Sequence, residues 1–336
     1  MYYFRVTIIK NIKIYTVNKY SSRDKQDWDN FISNSRNATF LHYRDFMEYH
    51  SDRFDDHSLV VKKKGSIIAV MPANIMDNTL YSHRGLTYGG LLLSRKQKLK
   101  DVLEIFLQVL NYLSEIQIST LKVKLVPSFY AQEASSELQY LMQLVNAECV
   151  KVETASVIDY RNTFSIQTNR IEGVKKADSN GLLLIEENNF GEFWSKILIP
   201  NLKQRFQAKP THSLEEIQRL SERFPKHIRQ FNVYHDNKLV GGATIFETKT
   251  TAHVQYISGN DDKQKLGTLD YLFHNLITEI FAHKWYFDFG TSNENNGKQI
   301  NAGLTYWKES FGARTMLQYQ YAVQTKNHSL LNNVLV

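Results

Sequence analysis

One succession of structural elements occurs twice along this chain, and it limits the fold more than any other feature. Corresponding elements are spaced about 165 to 175 residues apart, far beyond the repeat length of a solenoid. In the first copy, Asp27 and Trp28 open a helix through Phe31 and Ile32. Ala38, Leu41, Phe46 and Met47 mark further buried positions. Apolar runs at 58–61 and 67–73 flank the polar turn 63–65, the signature of an antiparallel hairpin. A strand is expected over 86–93. Val102, Leu103, Phe106, Leu110 and Leu113 then share one face of a helix over 99–116. Leu121, Val123 and Leu125 alternate with lysines as a strand, followed by a helix over 135–146 and a strand over 150–160. The second copy repeats this order: strands at 231–234, 238–246 and 252–258, a long helix at 268–281, a strand at 285–290, a helix at 298–310 and a strand at 315–324. The copies share no obvious sequence identity. The expectation is an α/β chain of two lobes, residues 1–165 and 166–336, each a mixed, largely antiparallel sheet flanked by helices.

Between the copies, the polar stretch 162–181 carries Arg170, Lys175 and Lys176 and ends in the turn sequence DSNG. A strand at 182–186 follows, then a helix through Phe190, Phe193, Trp194, Ile197 and Leu198 that Pro200 should break. Ser213 begins a capping box for a helix over 213–224. The N-terminal alternation over 6–15 reads as a strand, not as a leader peptide. The longest apolar runs, 90–93 and 181–185, fall far short of the roughly 20 residues that cross a bilayer. A cytoplasmic protein without a transmembrane segment is expected. The single cysteine, Cys149, excludes an intramolecular disulfide, and its apolar setting suggests inert core. A net charge of +7 suits an anionic partner without choosing one. Lys62, Lys63 and Lys64 adjoin Gly65 and read as a solvated hairpin turn, so no DNA contact is inferred. No histidine spacing fits a metal site, and no Walker, dinucleotide or nucleophile-elbow motif occurs.

After the strand at 252–258 comes GNDDKQKLGTLDYLF. Gln264, Lys265, Gly267, Thr268 and Leu269 there resemble the phosphate-binding turn Q/R-x-x-G-x-G/A of the GNAT superfamily, with Leu269 at the last position. Further on, YFDFGTSNENNGKQINAGLTYWKESFGAR resembles the C-terminal signature of FemAB-related GNAT proteins. The likeness extends to RIEGVKKA, AKPTHSLEEIQRLSERFPKHI and AHVQYISGN, covering most of 170–315; the first lobe is similar in layout, best at WDNFI and ATFLH. This resemblance implies two tandem GNAT-like lobes and N-acyl transfer from acyl-CoA, without a metal, to an amine. The acceptor it implies is an amino sugar on a nucleotide or lipid carrier, or a cell-envelope precursor. Aminoacyl transfer from tRNA is the rival reading, and a non-catalytic two-lobe binding protein the third.

On this resemblance Asp288, at the end of an aromatic strand, is the first catalytic candidate. His212 could serve as base or amine-orienting acceptor, and Tyr306 could protonate a departing thiolate. Gln264, Lys265, Gly267, Thr268 and Leu269 would hold the donor, with helix-terminal N–H groups drawing phosphate. Gln255 and Tyr256 are adjacent on a strand, so only one can face the acyl group. Ser292, Glu294, Asn301, Lys308 and Arg314 are acceptor candidates, Glu294 being equally readable as complementing a helix dipole. In the first lobe His42, Arg44, His83, Arg84 and Tyr88 cluster near strand ends; Arg44 and Arg84 are the acceptor-binding candidates there.

Overall fold

The computed structural model describes residues 15–336, so the strand expected at 6–15 lies outside it except for Tyr15. Tyr15–Lys19, Leu59–Lys63, Ser66–Met71 and Leu92–Leu93 form a four-stranded antiparallel sheet. Its hairpin turns at Lys64 and Gly65, both at positive φ, and Lys62 pairs with Asp24 at 2.9 Å. Of the strand expected at 86–93 only the last two residues join this sheet, because the chain turns at Gly90, where φ is +88°.

A second sheet of eleven strands runs through the whole molecule. Its order is Leu183–Glu186, Ile228–His235, Lys238–Glu247, Thr251–Gly259, Tyr286–Thr291, Glu148–Asp159, Arg314–Gln324, Thr120–Lys124, Thr79–Tyr81, Asn74–Met76 and Asp55–Asp56. All pairs are antiparallel except Thr251–Gly259 with Tyr286–Thr291 and Thr79–Tyr81 with Thr120–Lys124. The two exceptions occupy equivalent places in the two halves, as duplication of one α/β unit would leave them.

The closing strands are exchanged. Glu148–Asp159, last in the first half of the sequence, lies against Tyr286–Thr291 of the second half. Arg314–Gln324, last in the second half, lies against Thr120–Lys124 of the first half. The two also pair with each other, from Arg314 opposite Val157 to Ala322 opposite Glu148. One apolar cluster likewise joins the halves, bringing Trp28, Phe40, Phe46 and Tyr130 together with Phe193, Trp194, Phe246 and Tyr256. A fragment of residues 166–336 would expose both flanks left by Glu148–Asp159. It is expected to be insoluble, or to lack a cooperative transition by circular dichroism. A cooperatively melting fragment would show that the exchange is dispensable.

Two expectations are corrected here. Pro200 does not break its helix: a π-helical segment, Phe193–Leu198, runs directly into Ile199–Phe206, with the proline in the first turn of the latter. The π-helical turn just before it widens the i→i−4 ladder, which is where a continuous helix accommodates a proline ring and its missing N–H. Cys149 is exposed, not core. The first residues of its strand lie outside the apolar clusters, and its neighbour Val150 is exposed too. Among the described residues no helix is long and apolar enough to cross a membrane.

Candidate active site

Thr251–Gly259 and Tyr286–Thr291 pair only from Thr251–His253 to Tyr286–Asp288, then separate. Two local irregularities part them. The register against Lys238–Glu247 slips between Val254 and Tyr256, leaving Gln255 bulged. On the other strand Gly290 sits at φ +72°, where glycine avoids the strain of a side chain. The bulge also turns the strand over. Ala252 and Val254 pack into one apolar cluster and Tyr256 into another. Past His253 the facing edge has no strand partner among the described residues, so its backbone N–H groups meet the opening.

Two cavities lie in that opening. The inner one, about 530 Å³, is lined by His253, Gln255, Phe289, Gly290 and Lys308, and by Lys124, Lys151, Glu153 and Gln320 from the exchanged strands and the first half. The outer one, about 470 Å³, is lined by Arg170, Leu202, Lys263, Gln264, Leu269 and Asp270. Ile257, Leu304 and Trp307 line both, so the cavities meet on the free edge of the splayed strand.

Behind the inner cavity Asp288 is completely buried. Its carboxylate accepts from Tyr130 Oη, His253 Nδ1 and the Gly290 amide, each at 2.7 Å. Burial pushes the Asp288 carboxyl up, but the adjacent His253 and these hydrogen bonds outweigh it and hold the group below the usual carboxylate range. A carboxylate only accepts, so Nδ1 of His253 carries the proton and Nε2 is the basic nitrogen. Lys308 is buried beside them and donates to the carbonyls of Gly290 at 2.9 Å and Thr291 at 2.7 Å. Burial lowers its ammonium to about 8, with the Asp288 charge opposing.

His253 is the candidate residue that sequence reasoning missed. Its signal lay in AHVQYISGN, where His253 and Gln255 are two residues apart on one strand, but only the pairing of His253 with Asp288 gives it meaning. Asp288 itself cannot meet a substrate, being sealed behind His253 and Tyr130. Gln255 faces the inner cavity, while Tyr256 packs inward and bonds His212 Nδ1 at 2.6 Å. His212 is buried and lines a separate hollow with Tyr49 and Phe54, which shares Thr87 and Gln255 with the inner cavity.

The other candidates divide. Gln264 and Leu269 line the outer cavity, Lys265 points to solvent, and Thr268 is buried. Gly267 has φ +74°, and a Cβ on it would lie 2.1 Å from the Gly173 carbonyl. The backbone this glycine approaches is therefore that of helix Thr168–Ser179, which the Arg170–Asp270 ion pair at 2.7 Å also fastens. Tyr306 is exposed and bonds Gln167 at 3.1 Å, on the helix face away from the cavity that Trp307 and Lys308 line. Asn301 caps helix Ala302–Glu309 and donates to exposed Glu294 at 2.9 Å. Ser292 is buried, and Arg314 is an exposed residue bonded to the Ala313 carbonyl. None of Tyr306, Ser292, Glu294, Asn301 or Arg314 lines either cavity. In the first half, His42, His83 and Tyr88 are buried. Arg44 is buried as well, holding Asp56 at 2.6 Å and Glu48 at 3.0 Å and lying 3.9 Å over Tyr20, so its donors are spent on the fold. Arg84 alone of that group is exposed at a cavity.

No protein-family profile matches the sequence, and no curated protein sequence does. Solved structures are similar. FemX aligns over 94% of this chain and 99% of its own at 10% identity, with a TM-score of 0.65. The C-terminal domain of a putative lysylphosphatidylglycerol synthetase from Agrobacterium fabrum aligns over 92% and 94% at 12% identity, TM-score 0.57. L-PGS from Bacillus licheniformis aligns over 82% and 86% at 12% identity, TM-score 0.51. Over nearly its whole length the chain thus has the fold of FemX and of the lysylphosphatidylglycerol synthetase domain. The α/β architecture expected from the sequence, with mixed, largely antiparallel sheets flanked by helices, is present.

Proposed function

We propose that this chain is an N-acyltransferase that moves an acyl group from acyl-CoA to an amine held in the inner cavity. The observation that carries this reading is the meeting of the two cavities at Ile257, Leu304 and Trp307, beside the unpaired strand edge. Leu202, Ile257, Leu269, Leu304 and Trp307 offer the outer cavity an apolar wall that suits a pantetheine arm, and Lys263 and Arg170 suit its anionic end. The acyl carbonyl would lie at the Gln255 bulge, where backbone N–H groups and the nearby Lys308 ammonium stabilise the developing oxyanion. The amine attacks the carbonyl directly. As the C–N bond forms, His253 Nε2 takes the amine proton, with Asp288 holding the ring and balancing its charge. The C–S bond then breaks, and the proton leaves with the thiolate. No covalent enzyme intermediate is required.

The acceptor in this reading is an amino sugar or cell-envelope precursor, small or lipid-linked, acylated in the cytoplasm. The fold shared with FemX and L-PGS favours a second reading, aminoacyl transfer from tRNA, through the same cavities. Calorimetric titration of the whole chain with acetyl-CoA, coenzyme A and aminoacyl-tRNA separates the two. Binding of a thioester that Leu269→Glu abolishes is the expected result. Binding of aminoacyl-tRNA alone would replace the donor, and binding of neither would leave a two-lobe binding protein.

A further inference from the structure

The inner cavity continues past Lys124 and Gln320. Both side chains also line a hollow of about 270 Å³, walled by Tyr81, Arg84, Lys122 and Tyr321. Arg84 and Lys122 lie against Tyr81, 5.4 and 5.5 Å from its ring centre. Lys124 is bonded to the Leu86 carbonyl at 3.0 Å. Burial, with Lys151 and Arg84 nearby, holds its ammonium below the usual lysine range against the opposing charge of Glu153.

Three cations line this one hollow with no carboxylate partner among the described residues. Lys62 and Lys151 each meet a carboxylate, at 2.9 and 2.8 Å. Among the described residues no carboxylate pairs with Arg84, Lys122 or Lys124, whose polar contacts are the Met76 sulfur for Arg84 and the Leu86 carbonyl for Lys124. Three like charges around one hollow repel one another, and the repulsion grows where water is partly excluded. The contacts of Arg84 and Lys122 with the Tyr81 ring leave both charged ends open to water, because both side chains are exposed. An anion of two or more charges would relieve the repulsion, with the guanidinium offering a planar fork and the ammonium groups point charges.

We propose that this hollow binds the phosphoryl or diphosphoryl group of the acceptor, whose amine then reaches His253 in the adjoining cavity. The inference rests on the transferase reading above for the word acceptor, and on Arg84, Lys122 and Lys124 for the anion. The phosphoryl group could be carried by a nucleotide or by a lipid.

The test is calorimetric titration of the whole chain at low ionic strength with inorganic pyrophosphate, in the presence of saturating coenzyme A. Pyrophosphate should still bind, and Arg84→Gln with Lys122→Gln should weaken it at least tenfold while coenzyme A affinity stays unchanged. Lys124→Gln should act in the same direction. Because Arg84 and Lys122 are exposed, the double variant should melt as the parent does. Tighter binding of uridine diphosphate than of pyrophosphate would assign a nucleotide carrier. Binding to phosphatidylcholine vesicles containing phosphatidic acid, lost in the double variant, would assign a lipid carrier. Equal pyrophosphate affinity in the variants, or its displacement by coenzyme A, overturns the proposal. Pyrophosphate binding that depends on Arg84 and Lys122, in a chain that transfers no acyl group, would keep the anion site and discard the transferase.

Discussion

His253→Ala is expected to lower turnover by roughly 100-fold or more at saturating substrate, the usual scale for losing a positioned general base. Asp288→Asn should lower it comparably through a different route. The Asp288 carboxylate accepts three hydrogen bonds, from Tyr130, His253 and Gly290. An asparagine amide has one acceptor oxygen and a nitrogen that only donates, so it cannot serve all three. Turning the nitrogen toward His253 would force the proton from Nδ1 to Nε2 and remove the basic nitrogen from the cavity. The two substitutions act on one device, so Asp288→Asn in a His253→Ala background should cost little more. Donor affinity should survive in both, since neither residue lines the outer cavity. The check is steady-state kinetics together with melting temperature. Near-parental turnover in folded His253→Ala would remove this histidine from the chemistry.

Acidification from pH 7 to pH 5 should destabilise the protein by several kcal/mol. His42, His83 and His212 are buried, and burial first of all lowers them to about 4, about 3 and about 4. Hydrogen bonds fix the first as neutral: His42 Nδ1 accepts from the Thr39 amide at 3.0 Å. Each folded pKa lies below the unfolded value near 6.5, so the unfolded chain binds more protons between the two values. The stability each neutral histidine contributes is thus present above pH 6.5 and lost as pH falls toward the folded pKa. At pH 5 linkage puts the loss at about 2 kcal/mol for each, a sum comparable with the net stability of many domains. Urea unfolding at the two pH values measures it. A free energy that does not change between them would mean that these histidines are hydrated or charged in the folded protein.

Much of the architecture was legible because its cause is local. Val102, Leu103, Phe106, Leu110 and Leu113 at helical spacing bury one face wherever the helix lies, and helix Leu99–Glu115 forms as read. The same holds for Ser213, whose hydroxyl accepts from the Glu216 amide at 3.2 Å. At the hairpin, Lys64 is solvated as its turn requires, whereas Lys62 and Lys63 are half-buried beside the sequence-distant carboxylates of Asp24 and Asp101. The candidate site was legible only in part. Asp288, Gln255, Lys308, Gln264 and Leu269 came from motif resemblance, and the structure puts the last four in cavity walls. Arg44 and Tyr306 went astray because residue type and spacing do not say which way a side chain leaves its element, or whether an ion pair has already claimed it.

By itself the sequence determined two α/β units in tandem, the order of their longer elements but not the short strands Asp55–Asp56, Asn74–Met76 and Thr79–Tyr81, and the strand–turn–helix at 251–275, all set by periodicity, turn chemistry and capping among near neighbours. Only the tertiary structure decided that the closing strands change places, that His253 rather than Asp288 meets the cavity, and that Arg84, Lys122 and Lys124 surround one hollow. Those outcomes join residues 35 to about 200 positions apart, and the free energy that selects them comes from sheet pairing and burial, which no local stretch of sequence contains.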